Sequence, residues 1–223
     1  SNDTVQTTKK VTDNTNFKLS YTQSDSLDPF KAKTQNNQIL ADLVFESLFD
    51  LDENYEPITN IATEYEFVDG KTIKVKFNTK LTFSNGSAIS SDDIVYSFNA
   101  AKKSPAYGNS LKYIRSASAS NAGEVTFYLK KANPNAVNLL TFPIASTKND
   151  SHGYPIGSGR YKYTKSESKV VLKSVKKNNF NPYITTINLV NIAAADSIDN
   201  AVNIGNISYA FRDLSSSVSK RMT

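Results

Sequence analysis

Apolar residues recur along this chain with two different periods, and the switch from one to the other marks out its elements. Phe17, Leu19 and Tyr21 alternate with polar neighbours, as do Ile73, Val75 and Phe77, and later Val125, Phe127 and Leu129. Successive strand side chains point to opposite faces, so each run predicts a strand with one buried side. Ile39, Leu40, Leu43, Val44 and Leu48 follow helical spacing instead and predict a helix over 36–49. Residues 63–83 read as a hairpin turning at Asp69-Gly70, and 135–140 as a short helix. From Gly159 the pattern is strand after strand, over 160–163, 169–175 and 186–192. A short helix at 196–204, with Gly205 placed for a left-handed cap, a strand at 207–211 and a helix starting near Leu214 follow.

Residues 81–101 are the best-defined stretch. Asn85-Gly86 tolerates the positive φ of a tight turn. Ser90 is placed to cap a helix, with Asp93 three residues on where a capping box has Glu or Gln. Asp92 and Asp93 also sit where the helix dipole favours negative charge. Ile94, Val95, Phe98 and Ala101 then share one helical face. Between the elements, 50–57 and 102–109 read as loops, and the polar run 148–154 as a hinge or a crossing between subdomains. Residues 1–16 carry only Val5 and Val11 as apolar side chains. Such a segment buries too little surface to offset its ordering entropy and reads as a flexible tether.

Composition adds mainly exclusions. No apolar run approaches the length of about 18 residues that a spanning helix needs, and no secretory signal is present. The chain has no cysteine, which removes disulfides, thiolate catalysis and cysteine zinc sites together. With 26 basic and 21 acidic residues the net charge is +5, a mild excess. Lys interleaves with Tyr at 112–115 and 161–163, as in nucleic-acid stacking platforms. The period of two there fits strands with one wet face, and no run of like charges is long, so nucleic acid is not expected.

Catalytic and metal motifs fare poorly. The single His152 lies in a polar turn, and Gly157-Ser158-Gly159 lacks the spacing of a nucleophile elbow. Asp92 and Asp93 are accounted for by capping, and Glu64 and Glu66 by a solvated strand edge. No phosphate-binding glycine motif occurs. Asp50, Asp52 and Asn54 have the spacing of a calcium loop, but Tyr55 replaces its glycine and Ile61 its closing Glu. These negatives lean toward binding rather than catalysis, with no cofactor and no metal expected.

Four blocks then carry a resemblance. The run 81–101 resembles the F-x-[DN]-G-x-x-[ST]-x-x-D-[IV]-V-[YF]-S block of the extracellular solute-binding proteins, family 5, which serve oligopeptide ABC transporters. Ser26-Leu27-Asp28-Pro29 before the helical run, the 155–161 turn (PIGSGRY) and 178–182 resemble further blocks of that family, in its order, although Asn181 stands where Trp is common. Together they span about residues 17–213. The resemblance implies an α/β fold, the first lobe of a type II periplasmic-binding-protein-like structure, with mixed sheets and flanking helices. It also implies that the second lobe is missing here, the alternative being a naturally short relative. Residues 17–32 with 153–223 are then the main subdomain, and 33–152 a smaller inserted one.

The implied function is capture of a peptide between two lobes, by main-chain pairing that does not read side chains, and delivery to ABC permease subunits. The family pattern puts Lys33, Thr34 and Gln35 against the ligand, where an ordinary loop is the rival reading. Tyr107 matches a loop tyrosine that leans over the ligand, against plain loop packing. Phe211 and Arg212 fall near the lobe crossing, and Lys33 and Arg212 are possible partners for a ligand carboxylate. The acidic residue that holds a peptide's amino end belongs to the missing lobe. Relatives in Gram-positive cells are often lipoproteins, so membrane contact is expected only through a lipid anchor preceding Ser1, on the outer face of the cell membrane, or else the protein is periplasmic. Two alternatives stay open: the same family with a nickel chelate, sugar or other solute, and a surface adhesion or glycan-binding module.

Overall fold

A computed structural model of the protein describes residues 17–176, 182 and 184–192. The tether 1–16, the elements expected beyond 192, most of the 178–182 block, and Phe211 and Arg212 lie outside the described residues. In chain order the elements are β1 (Lys18–Tyr21), α1 (Gln35–Val44), β2 (Phe49–Leu51), β3 (Pro57–Thr59), β4 (Ala62–Asp69), β5 (Thr72–Phe77), α2 (Ser91–Lys102) and α3 (Gly108–Leu111). After them come β6 (Ile114–Asn121), β7 (Glu124–Leu129), a 3-10 turn (Ala136–Leu139), β8 (Ala145–Asn149), β9 (Pro155–Gly157), β10 (Tyr161–Ser166), β11 (Lys169–Ser174) and β12 (Thr186–Asn191).

Alternation decides the first large sheet, ordered β4-β5-β7-β6 and antiparallel throughout. Ile73 pairs with Phe127 and Val75 with Val125, and all four are buried. Lys74 and Lys76 alternate outward, where Lys76 Nζ meets Glu64 Oε1 at 3.1 Å on an exposed face. Helix α2 lies across the apolar side. Its Phe98 ring stands edge-on to Phe127 at 5.6 Å, with Phe142 5.9 Å away. Each such buried aromatic contributes about 2 kcal/mol through area removed from water. The predicted capping box is present: Ser90 Oγ accepts the Asp93 N–H, and the Asp93 carboxylate accepts the Ser90 N–H at 2.8 Å. Gly86 takes φ 85° in the turn before it, as the Asn-Gly pair predicts.

The second large sheet is ordered β1-β12-β11-β10. Here β1 runs parallel to β12, with Leu19 opposite Leu189, while the other pairs are antiparallel. A parallel pair needs a long crossover, and the whole intervening chain, including the other sheet, serves as that connection. Helix α1 packs its Leu40 and Val44 against β1 and β10.

Two expectations need correction. The helix over 36–49 ends at Val44, and Phe45 is extended at φ −125°, ψ 134°. The apolar spacing persists past the end because Leu48 and Phe49 are buried in extended chain instead. Competing partners take the backbone: the Glu46 N–H donates to Ser158 Oγ at 2.9 Å, Glu46 O accepts the Ile144 N–H at 2.8 Å, and the Phe49 N–H donates to Leu140 O at 3.2 Å. The expected loop 50–57 forms part of a small hairpin, β2 with β3. Its turn is closed by Asp52, whose carboxylate accepts the N–H groups of Asn54 and Glu56, with Tyr55 at φ 59°. The polar run 148–154 is the tip of the β8–β9 hairpin, where Asp150 Oδ1 accepts the His152 and Tyr154 N–H groups. Among the described residues no helix is long and apolar enough to cross a membrane.

Candidate functional site

The turn after β1 and the start of α1 are tied together by one carboxylate. Asp25 accepts the N–H groups of Ser26 at 2.8 Å, Lys33 at 3.0 Å and Thr34 at 2.8 Å, and the Thr34 hydroxyl at 2.6 Å. Burial by itself would raise its pKa, but these donors outweigh it and hold the carboxyl below the usual range. Thr34 is the residue preceding α1, yet its hydroxyl goes to Asp25 and makes no cap to its own helix. The first turn of α1 itself carries no acidic residue, and the Asp25 carboxylate, seated on the Lys33 and Thr34 N–H groups, is the counter-charge at the positive end of the helix dipole. Lys33 and Gln35 flank it with exposed side chains.

Asp25 also lines a cleft of about 420 Å³, bounded by Tyr21, Asp28 and Lys31 on one side and Tyr154 and Val170 on the other. It lies between the turn after β1 and the β8–β9 hairpin.

Tyr107 stands in another, about 220 Å³, with Asp42, Phe45, Ser47, Asp50 and Pro143. The loop carrying it is held from beneath. Buried Ser104 accepts the Tyr107 N–H at 3.0 Å and donates to Ala101 O at 2.7 Å, and the Ser104 carbonyl accepts the Gly108 N–H. Opposite, Ser47 Oγ donates to Phe49 O at 2.7 Å and lies 3.4 Å from Asp50 Oδ1. Asp42 and Asp50 thus line this cleft together with Tyr107, an aromatic with a polar tip.

The structure thus brings Lys33 and Thr34 together on Asp25, with Gln35 beside them at the start of α1, but places Tyr107 in a different cleft. Asp42 and Ser47 are not among the expected site residues, and Asp50 enters there only as part of a calcium-loop spacing. The signal available was Asp50 set inside the apolar run Leu48-Phe49-Asp50-Leu51. Ser158 is buried and engaged in packing: its hydroxyl accepts from Glu46 and donates to Ile144 O at 2.6 Å. His152 is exposed. Among the described residues no three His, Cys, Asp or Glu side chains are arranged to hold a metal ion.

Residues 56–220 match the model of the bacterial extracellular solute-binding proteins, family 5 Middle. Solved structures share the fold at low identity. MoaA from A. tumefaciens R10 in complex with mannopinic acid is 21% identical, with a TM-score of 0.67 over 85% of this chain and 43% of its own. NikA from Staphylococcus aureus, in complex with Ni(L-His)2, is 19% identical, with a TM-score of 0.63 over 85% and 41%. The oligopeptide-binding protein AppA from Bacillus subtilis, in complex with a nonapeptide, is 20% identical, with a TM-score of 0.58 over 72% and 36%. The chain therefore spans less than half the length of each of these structures.

Proposed function

Because the chain belongs to family 5 of the bacterial extracellular solute-binding proteins, we propose that it is the solute-binding component of an ABC importer, capturing oligopeptides outside the cell and delivering them to membrane permease subunits. The observation that carries the peptide reading is the polar connector at the start of α1, held by Asp25, where Lys33 and Gln35 expose their side chains beside Thr34 to an extended chain. Tyr107 and its two carboxylate neighbours would meet the same ligand further along. Phe211 and Arg212 complete the proposed set, with Lys33 and Arg212 as partners for a ligand carboxylate. A second lobe closing over these groups by a hinge motion would exclude water and supply the remaining contacts. A lipid anchor preceding Ser1 would keep the protein at the membrane.

The subdomain division proposed is 17–32 with 153–223 as the main unit and 33–152 as the inserted one. The two four-stranded sheets support it, β4 to β7 lying within 33–152 and β1 with β10 to β12 within the main unit, although α1 rests on the sheet of the main unit.

A smaller solute is the second reading, since NikA and MoaA share the fold and hold a nickel–histidine complex and mannopinic acid. Native mass spectrometry of the full-length protein isolated from its own cells separates these readings. A ladder of bound peptide masses is expected. A single non-peptide solute mass would replace the peptide reading with the second, and an empty protein that binds glycan arrays avidly would overturn both.

A further inference from the structure

Six cations converge on one end of the β4-β5-β7-β6 sheet. Ile114 pairs with Leu129 across β6 and β7, the Leu129 N–H donates to Lys71 O at 2.7 Å, and the Lys130 N–H donates to Tyr113 O at 2.8 Å. Lys71, Lys112, Arg115, Lys130 and Lys131 are thereby neighbours along one sheet end, and all are exposed. Lys102 reaches in from the end of α2, its Nζ donating to the carbonyls of Ile114 and Arg115. Burial, and then the charge of Lys130, hold the Lys102 ammonium below its ordinary value, so these cations feel one another.

Among the described residues these six cations form no salt bridge to a carboxylate, although the charge of Asp69 acts on Lys71. The Lys76 and Glu64 salt bridge lies further along the sheet. Asp69 is close in sequence, but its Oδ1 accepts the Lys71 backbone N–H. A cluster of like charges repels itself unless an anionic surface covers it. Beside it Tyr113 is 57% exposed, with Lys112 Nζ 5.2 Å from its ring centroid.

We propose that this sheet end docks the protein directly on an anionic phospholipid membrane surface. The cations have the charge complementary to lipid phosphates. Tyr113, an apolar ring with a polar tip, matches the boundary between headgroups and acyl chains, where amphipathic rings are favoured. Neither cleft described above touches these residues, so the patch offers a surface rather than a groove for a single extended polymer. Docking here needs neither bound solute nor a lipid anchor, so it stands or falls apart from the peptide reading.

Vesicle flotation of the protein tests this. Each Lys or Arg near an anionic membrane surface is worth about a fivefold factor in partitioning. With about three of the cations at the surface at once, vesicles holding about 30 mol % phosphatidylglycerol should bind about a hundredfold more tightly than pure phosphatidylcholine. Salt at about 0.5 M should abolish the difference, because it screens exposed charges. The charge-reversed variant K112E/R115E/K130E/K131E and its neutral counterpart with Gln at the same four positions should both lose the binding, with melting curves unchanged. Tyr113→Ala should weaken it about fivefold. Equal binding to both vesicle types would overturn the proposal, as would a folded Gln variant that still floats. Capture of polyphosphate or polyglutamate without vesicle binding would assign the patch to a polymer or a protein instead, and overturn it too.

Discussion

The Gly159 N–H donates to the Val44 carbonyl at 2.7 Å, so the turn before β10 closes the last turn of α1 from outside the helix. The approach leaves no room for a side chain. A Cβ on Gly159 would come within 2.5 Å of the Val44 carbonyl carbon, and one on Gly157 within 2.1 Å of its oxygen. Gly159→Ala should therefore force α1 and the β10 turn apart, costing about 3 kcal/mol as overpacking against backbone does. Chemical denaturation checks it: a midpoint equal to wild type would show that the contact yields freely.

Asp25 joins the turn after β1 to α1, and Asp25→Asn should lower stability by about 1–2 kcal/mol through weaker acceptance of the Lys33 and Thr34 donors. The sign of the pH dependence follows from the depressed value. A carboxyl held below its ordinary 3.8 in the folded state contributes stability that is complete above that pH and is lost as pH falls through the lower folded value. Wild type and Asp25→Asn should converge in denaturation midpoint under acid and differ at neutral pH. Parallel curves at all pH values would refute the assignment.

The capping box at the start of α2 makes Ser90→Ala worth about 1 kcal/mol. Asp93→Ala should cost a similar amount, and the pair together less than the sum, since Ser90 Oγ and the Asp93 carboxylate serve each other. A double-mutant cycle in denaturant measures the coupling, and strict additivity would contradict it.

Tyr163 buries its hydroxyl with no hydrogen-bond partner, and that burial pushes the phenol well above its ordinary value. Tyr163→Phe removes an unsatisfied polar atom and keeps the ring, so a gain of about 0.5–1 kcal/mol is expected. A loss in thermal or chemical unfolding would show that the hydroxyl has a partner in solution.

Tyr107 is half-buried on a loop held by Ser104. Tyr107→Ala in the full-length protein should weaken peptide binding about tenfold while costing about 1 kcal/mol or less in stability. Calorimetry with a bound-peptide mixture reads the first effect and thermal unfolding the second. Unchanged affinity would return Tyr107 to the role of loop packing.

Local rules carried the sequence reading where chain neighbours settle the outcome. The start of α2 depends on Ser90, Asp93 and a turn at Gly86, all within a few residues. The alternation of β5 and β7 needs only one wet and one dry face. What sequence alone determined was therefore the type and face of most elements, together with the exclusion of thiol chemistry. Tertiary structure decided the end of α1, because the groups that stop it (Ser158, Ile144 and Leu140) come from about a hundred positions later in the chain. It also decided the pairing of Lys18 with Asn188 and the placing of Tyr107 with Asp42 and Asp50. Apolar spacing records that a residue is buried, and only packing tells whether a helix or an extended segment does the burying.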